Sequence, residues 1–217
     1  MTTSNTLGVG LYSIVEAARL LKTSRQTVTR WAEGYSYELQ SGLRTHSAVI
    51  QREEDSPLSF GDLVELMYVR EFRRANVKLE VIREASRKFR TEWDTPYPLA
   101  TKKFATDGRS LLLKLGGEWK NALTGQHQAF FEDIGKQLVH INNLTSEWRP
   151  LGQDHQVILS PDLSFGKPIE VLSGAHTFVL AQAMRGDQSA KEVAWWYGTT
   201  IEGVHDAVTF EDRYRAA

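Results

Sequence analysis

The chain has 217 residues, 41% of them hydrophobic and 24% charged, with a formal net charge of −1. That is an ordinary composition for a folded chain of one large domain or two small ones, and no apolar run approaches the length of a bilayer span. The absence of cysteine rules out disulfides and thiolate zinc sites, and so neutral a balance excludes a protein that coats nucleic acid through bulk positive charge.

The lead-in MTTSNTLGVG lacks the basic-then-apolar order of a secretion signal, so a cytoplasmic location is expected. Ser13 is a good N-cap and Glu16 stands three residues later, as a capping box requires. Ile14, Ala17, Ala18 and Leu21 then repeat at helical spacing. Lys22-Thr23 breaks the pattern, and Ser24 can cap a second helix in which Val28 and Trp31 point inward and which Gly34 stops. Two short helices joined by so short a turn make a helix-turn-helix. Lys22 sits near the place where such turns commonly carry glycine.

On the second helix, which Ser24 caps, Arg25, Gln26, Thr29 and Arg30 lie away from Val28 and Trp31. Arginine can fork onto guanine, glutamine can bridge adenine, and serine or threonine reach phosphate or a thymine methyl. The bland alternative is an ordinary solvated face. The capping, the small Ala18 and the short turn favour the reading helix. "GYSYELQSGLRTHSAVIQ" follows, alternating around Ser41-Gly42 as a short hairpin or wing. Tyr35, Tyr37, Arg44 and His46 either touch the sugar–phosphate backbone or close the edge of the small core. Ser59 and Asp62 cap a further helix with Phe60, Leu63, Met67 and Phe72 on its apolar stripe, and after Asn76 another carries Leu79, Ile82, Ala85 and Phe89. These two helices hold a second basic cluster, Arg70 to Arg90, beside the first at Arg19, Lys22, Arg25 and Arg30. The remainder of the chain is acidic on balance, which points the N-terminal half toward phosphate and the C-terminal half toward something else.

The middle has Asp-Gly, Gly-Gly and Thr-Gly turns between short apolar runs. Leu111 to Leu115 and Gln128 to Phe131 read as strands of a small meander, and 150–156 as a linker. In the tail Thr177 is read as capping a helix with Phe178, Leu180 or Ala181, and Met184 inward. Ser189 caps the next, with Val193, Ala194 and Trp196 or Tyr197 buried. Gly198 turns the chain, and Thr200 caps a last helix packed through Ile201, Val204 and Val208. This is a second helix-turn-helix, but its outward residues are read as Glu202, Gly203, His205, Asp206, Glu211 and Asp212. Carboxylates at that density repel phosphate and suit a basic protein partner, with Glu202, His205, Asp206, Glu211 and Asp212 as the contact residues. The plain alternative is a solvated helix on a dimerisation domain. No metal, nucleotide or nucleophile-elbow motif is present. The six histidines are scattered, His127 and His140 being the one hairpin-bridged possibility, so no cofactor, no metal and no enzyme activity are expected.

"YSIVEAARLLKTSRQTVTRWAEGY", the wing and "LSFGDLVELMYVREFRRANVKLEVIREA" resemble the winged helix-turn-helix of MerR-like regulators. That resemblance implies dimeric operator binding and gives the reading role to Ser24, Arg25, Gln26, Thr29 and Arg30. The tail is similar to a small domain family regarded as antitoxins of PIN-like nucleases. Phe165-Gly166-Lys167-Pro168, Gly186 to Ser189 and Ala194 to Tyr214 carry that likeness. The expected fold is mostly α with small β elements: a winged helix-turn-helix domain at 1–110, a β-rich connecting segment at 111–156 and a three-helix antitoxin-type domain at 157–217. The expected function is a homodimeric, cytoplasmic DNA-binding antitoxin that represses its own operon and neutralises a nuclease-type toxin, with no membrane contact. The alternative is a MerR-like transcriptional regulator whose C-terminal domain senses a ligand or dimerises.

Overall fold

The computed structural model describes residues 6–8, 11–40, 42–52, 56–106, 133–186 and 188–215. The fold is mostly helical with small antiparallel strand pairs, and it divides into two compact units.

The first unit runs Leu11–Gly135. Helix α1 (Ile14–Leu20) starts on the full capping box: Ser13 Oγ accepts from Glu16 N at 3.2 Å, and Glu16 Oε2 accepts from Ser13 N at 2.8 Å. The turn after it places Lys22 at φ 48°, a left-handed conformation usually left to glycine. Ser24 caps helix α2 (Arg25–Ala32), accepting from Thr27 N at 3.1 Å. Gly34 is required where it stands, because a Cβ there would lie 2.4 Å from the His46 carbonyl oxygen. It leads into an antiparallel hairpin, β1 (Tyr35–Leu39) with β2 (Gly42–His46), in which Tyr35 faces His46 and Tyr37 faces Arg44.

Helix α3 (Phe60–Arg74), opened by a second capping box at Ser59 and Asp62, is the centre of this unit and is buried over most of its length. Asn76 at φ 60° turns the chain into helix α4 (Leu79–Glu92). Phe104 closes the core edge-on to Tyr68 and Phe72, with ring centroids at 5.0 and 6.0 Å. Glu65 on α3 is fully buried and accepts from Leu99 N at 3.0 Å. Burial lifts its pKa to about 8, outweighing that hydrogen bond and the Arg90 guanidinium 3.8 Å away.

The second unit gathers Thr6–Gly8 and the chain from Lys136 onward. Its hairpin, β3 (Leu138–Ile141) with β4 (Leu144–Trp148), turns on Asn142 and Asn143, both at positive φ as a type I′ turn demands. The strands read at 111–115 and 128–131 lie outside the described residues. Residues 150–156 are not a linker: Pro150 is buried, Arg149 reaches the carbonyls of Gln153 and His155 at 3.3 Å, and Gln156 N donates to Asp206 at 2.8 Å. The segment 136–156 therefore belongs with the C-terminal unit rather than to a separate connector. A short pair, β5 (Val157–Ile158) with β6 (Ile169–Glu170), precedes helices α5 (Thr177–Ala183), α6 (Ala190–Tyr197) and α7 (Ile201–Arg213). Leu180, Val193, Ala194, Val204 and Ala207 form the core of the three helices. Thr177 is the first helical residue of α5 rather than its cap, and its hydroxyl donates to Glu211 at 2.6 Å.

Candidate functional site

The two helix-turn-helix motifs match residue for residue. Ser189 and Glu192 repeat the capping box of Ser13 and Glu16. The Ala18 carbonyl accepts from Thr23 N at 3.0 Å, and the Ala194 carbonyl accepts from Thr199 N at 2.9 Å, the closure that ends each first helix. Lys22 and Gly198 hold the same left-handed position at φ 48° and 68°. Ser24 and Thr200 cap the second helices, and Val28 and Val204 are both fully buried. With the register fixed in this way, Arg25, Gln26, Thr29 and Arg30 correspond to Ile201, Glu202, His205 and Asp206.

In the N-terminal motif Arg25, Gln26 and Arg30 are exposed and Thr29 is half-buried, while Ser24 spends its side chain on the cap and on Thr27 Oγ1 at 2.8 Å. Arg30 also lies over the Tyr35 ring at 5.4 Å, so it joins the second helix to the wing. Tyr35, Tyr37 and His46 stack on one face of the hairpin, with Tyr35 and His46 centroids 4.8 Å apart, and Arg44 is exposed beside them. Exposed cations on the helix and hairpin together form a surface that can meet a groove and its flanking phosphates.

In the C-terminal motif the corresponding face is built differently. Asp206 stands where Arg30 does, and it holds the chain's own residues: His155 Nδ1 lies 2.7 Å from Oδ1 and Gln156 N donates to Oδ2 at 2.8 Å. Thr200 Oγ1 donates to Gln156 Oε1 at 3.0 Å. Gly203 is buried beneath the same side chain, since a Cβ there would meet Gln156 Oε1 at 2.7 Å. The stripe Thr200–Gly203–Asp206 is thus covered from within. The expected acidic face is narrower than the sequence suggested. Glu211 is only 8% exposed and receives the Thr177 hydroxyl, so it is a structural acceptor and not a contact residue. Asp206 is mostly committed, whereas Glu202 and His205 are exposed and Asp212 is exposed but paired with Arg215. His205 and Asp212 share a cleft of about 410 Å³ with Met184 and Arg185.

Sequence reasoning missed the aromatic surface of this unit. Trp196 or Tyr197 is expected from the sequence to be core, as is Phe178, and Trp195 stands beside them. Trp195, Trp196, Tyr197 and Phe178 are 79%, 54%, 37% and 55% exposed, and Ile201 is 41% exposed. At the positions of Trp196 and Tyr197 the N-terminal motif has Leu20 and Leu21, which are 2% and 0% exposed. There Arg70 of α3 reaches across to donate to the Leu21 carbonyl at 2.7 Å. No helix follows α7 among the described residues to do the same for α6. The missed signal was the residue type itself, because tryptophan and tyrosine are the residues enriched in interface cores and here stand where the buried motif carries leucine.

Among known proteins, residues 10–86 match a family described as "Putative DNA-binding HTH domain". The chain is 28% identical to a protein of Mycobacterium tuberculosis described as "Putative antitoxin VapB45", over 92% of this chain and 93% of that protein. It is 21% identical to the uncharacterized protein Rv2308 of the same organism, over 100% of this chain and 96% of the other. Its fold is that of the crystal structure of Rv2018 from Mycobacterium tuberculosis, with a TM-score of 0.69 at 24% identity, covering 92% of this chain and 98% of that one. No helix among the described residues is long and apolar enough to cross a membrane. These likenesses, added to an exposed cationic second helix, support a DNA-binding, antitoxin-like regulator.

Proposed function

We propose that the chain is the DNA-binding antitoxin of a toxin–antitoxin pair. Its N-terminal winged motif, of MerR-like type, binds the operator of its own genes and represses them from the cytoplasm. Arg25 and Gln26 read base edges, Thr29 and Arg30 sit at the rim of the groove, and Tyr35 and Arg44 on the wing meet the backbone. Ser24 serves by capping the helix and presenting its N-terminus to phosphate. The C-terminal unit binds and neutralises a nuclease-type toxin of the PIN-like class, through Trp195 and Trp196 flanked by Glu202, His205 and Asp212.

The observation that carries this reading is the inversion between matched motifs. One scaffold exposes Arg25, Gln26 and Arg30. The other exposes Ile201, Glu202 and His205 at the matching positions, commits Asp206 to its own His155 and Gln156, and opens an aromatic face beside them. Buried interface aromatics contribute most of the energy of typical protein complexes, and flanking carboxylates set the preference for a basic partner. The same open face could serve dimerisation, which is what favours the second reading, a MerR-like regulator with a dimerising tail.

Co-expression separates the two readings. The full chain, produced with the protein encoded beside it, should copurify as a hetero-complex, and Trp196→Asp should abolish that complex while leaving the fold intact. If Trp196→Asp dissociates a homodimer and leaves the hetero-complex unchanged, the antitoxin assignment of this face is wrong.

A further inference from the structure

The N-terminal unit contains a cleft of about 580 Å³ away from the exposed residues of α2, lined by Arg52, Arg83, Arg87 and Arg90 together with Glu33 and Ser47. Arg83, Arg87 and Arg90 stand at spacings of four and three on α4, so they share one helix face. Like charges so placed destabilise a helix by about 0.2–0.5 kcal/mol per pair, a cost that a bound anion would reverse.

The carboxylates nearby cancel only part of this charge. Glu33 lies 3.6 Å from Arg52, and Glu80, which is 61% exposed, lies 3.6 Å from Arg83. Glu65 approaches Arg90 at 3.8 Å, but burial keeps its carboxyl largely protonated at neutral pH. Arg83 is the anchor: its side chain is 7% exposed and its Nε donates to the Ser47 carbonyl at 2.6 Å. Its Nη2 is buried with no hydrogen-bond partner among the described residues. A charged donor left in that state costs more than the roughly 1–3 kcal/mol of a neutral one. Arg87 is exposed at the rim, one turn further along the helix.

We propose that this arginine cleft is an anion site that takes a phosphate group, held by Arg83 at its base and by Arg87 and Arg90 at its rim. Guanidinium forks match the tetrahedral oxygens of phosphate in pairs, which ammonium groups do not. The volume lies within the usual range for small-molecule sites, so the cleft has room for a phosphorylated molecule of mononucleotide size. The phosphate could equally belong to a DNA backbone, and the site is independent of whether Arg25 and Gln26 read bases.

The test follows the Arg83 Nε–H signal by NMR in the full-length protein during titration with pyrophosphate, and separately with a short random-sequence duplex. The signal should shift saturably with pyrophosphate at a dissociation constant below about 1 mM, and Arg87→Gln should weaken that binding about tenfold. If the duplex moves the same signal and pyrophosphate competes with it, the phosphate is the DNA backbone's. If the duplex leaves the signal in place, the ligand is a free phosphorylated compound. A signal that neither probe moves, or pyrophosphate affinity unchanged in Arg87→Gln, overturns the proposal.

Discussion

The two helix-turn-helix motifs share caps, closure and core valine, yet they differ in the charge of the second helix and in the aromatic exposure of the first. The N-terminal motif buries Leu20 and Leu21 inside its unit and exposes cations on its second helix. The C-terminal motif exposes Trp196 and Tyr197 and folds Gln156 over its second helix. The lesson is that backbone determinants and recognition determinants occupy separate positions of one scaffold. Capping residues, the left-handed turn and one buried valine set the shape, and the outward positions remain free to change sign.

The largest difference should appear on truncating matched positions. Leu21→Ala removes a fully buried side chain and should cost about 2–5 kcal/mol of stability. Its counterpart Tyr197→Ala, or the neighbouring Trp196→Ala, should cost clearly less, on the order of 1 kcal/mol of stability in the chain alone, since each side chain is partly exposed. Chemical denaturation of the three variants checks this. Equal destabilisation would mean that the aromatic face is core.

The two units should also respond oppositely to pH. Glu65 has a folded pKa raised to about 8, so the unfolded state releases its proton first and stability falls as pH rises from about 4.5 toward 8. Glu65→Gln should therefore be more stable than the parent by on the order of 3 kcal/mol near pH 8, and by little near pH 4. Glu170, in the other unit, would be pushed up by burial, but hydrogen bonds from Ser173 and Leu172 hold it below its ordinary value. Its contribution is present above the ordinary carboxylate pKa and is lost as pH falls. Unfolding curves at several pH values, read for Glu65→Gln and Glu170→Gln, should show slopes of opposite sign.

The smallest effect concerns the shared turn. Lys22→Gly should stabilise the N-terminal unit by up to about 1 kcal/mol, and Gly198→Ala should destabilise the C-terminal unit by about as much, since nothing lies within 4 Å of the added Cβ and only the positive φ is at issue. Thermal unfolding measures both.

Much of this scaffold was legible in the sequence. Ser13 with Glu16, Ser24, Gly34, Ser59 with Asp62, Ser189 and Thr200 announced helix boundaries through side-chain chemistry that acts within four residues. The hairpin at Ser41-Gly42 was equally local. What could not be read depends on distant segments. Asp206 and Glu211 look like surface acids until His155, Gln156 and Thr177 are brought to them across long stretches of chain. Trp196 and Phe178 look like core because burial is inferred from apolarity, and sequence alone does not reveal that they stand exposed among the described residues. Residues 150–156 look like a linker because they are polar, although their polar groups are spent inside the unit.

The central claim, that DNA is read by the N-terminal motif and not by its C-terminal counterpart, is tested most directly by fluorescence anisotropy with DNA from upstream of the protein's own gene. Arg25→Ala should weaken binding of the full chain by about 1–3 kcal/mol and reduce its preference over random DNA, whereas Glu202→Ala at the paired position of Gln26 should leave affinity unchanged. Unaltered binding in Arg25→Ala, or a loss in Glu202→Ala as large as that expected for Arg25→Ala, would contradict the account.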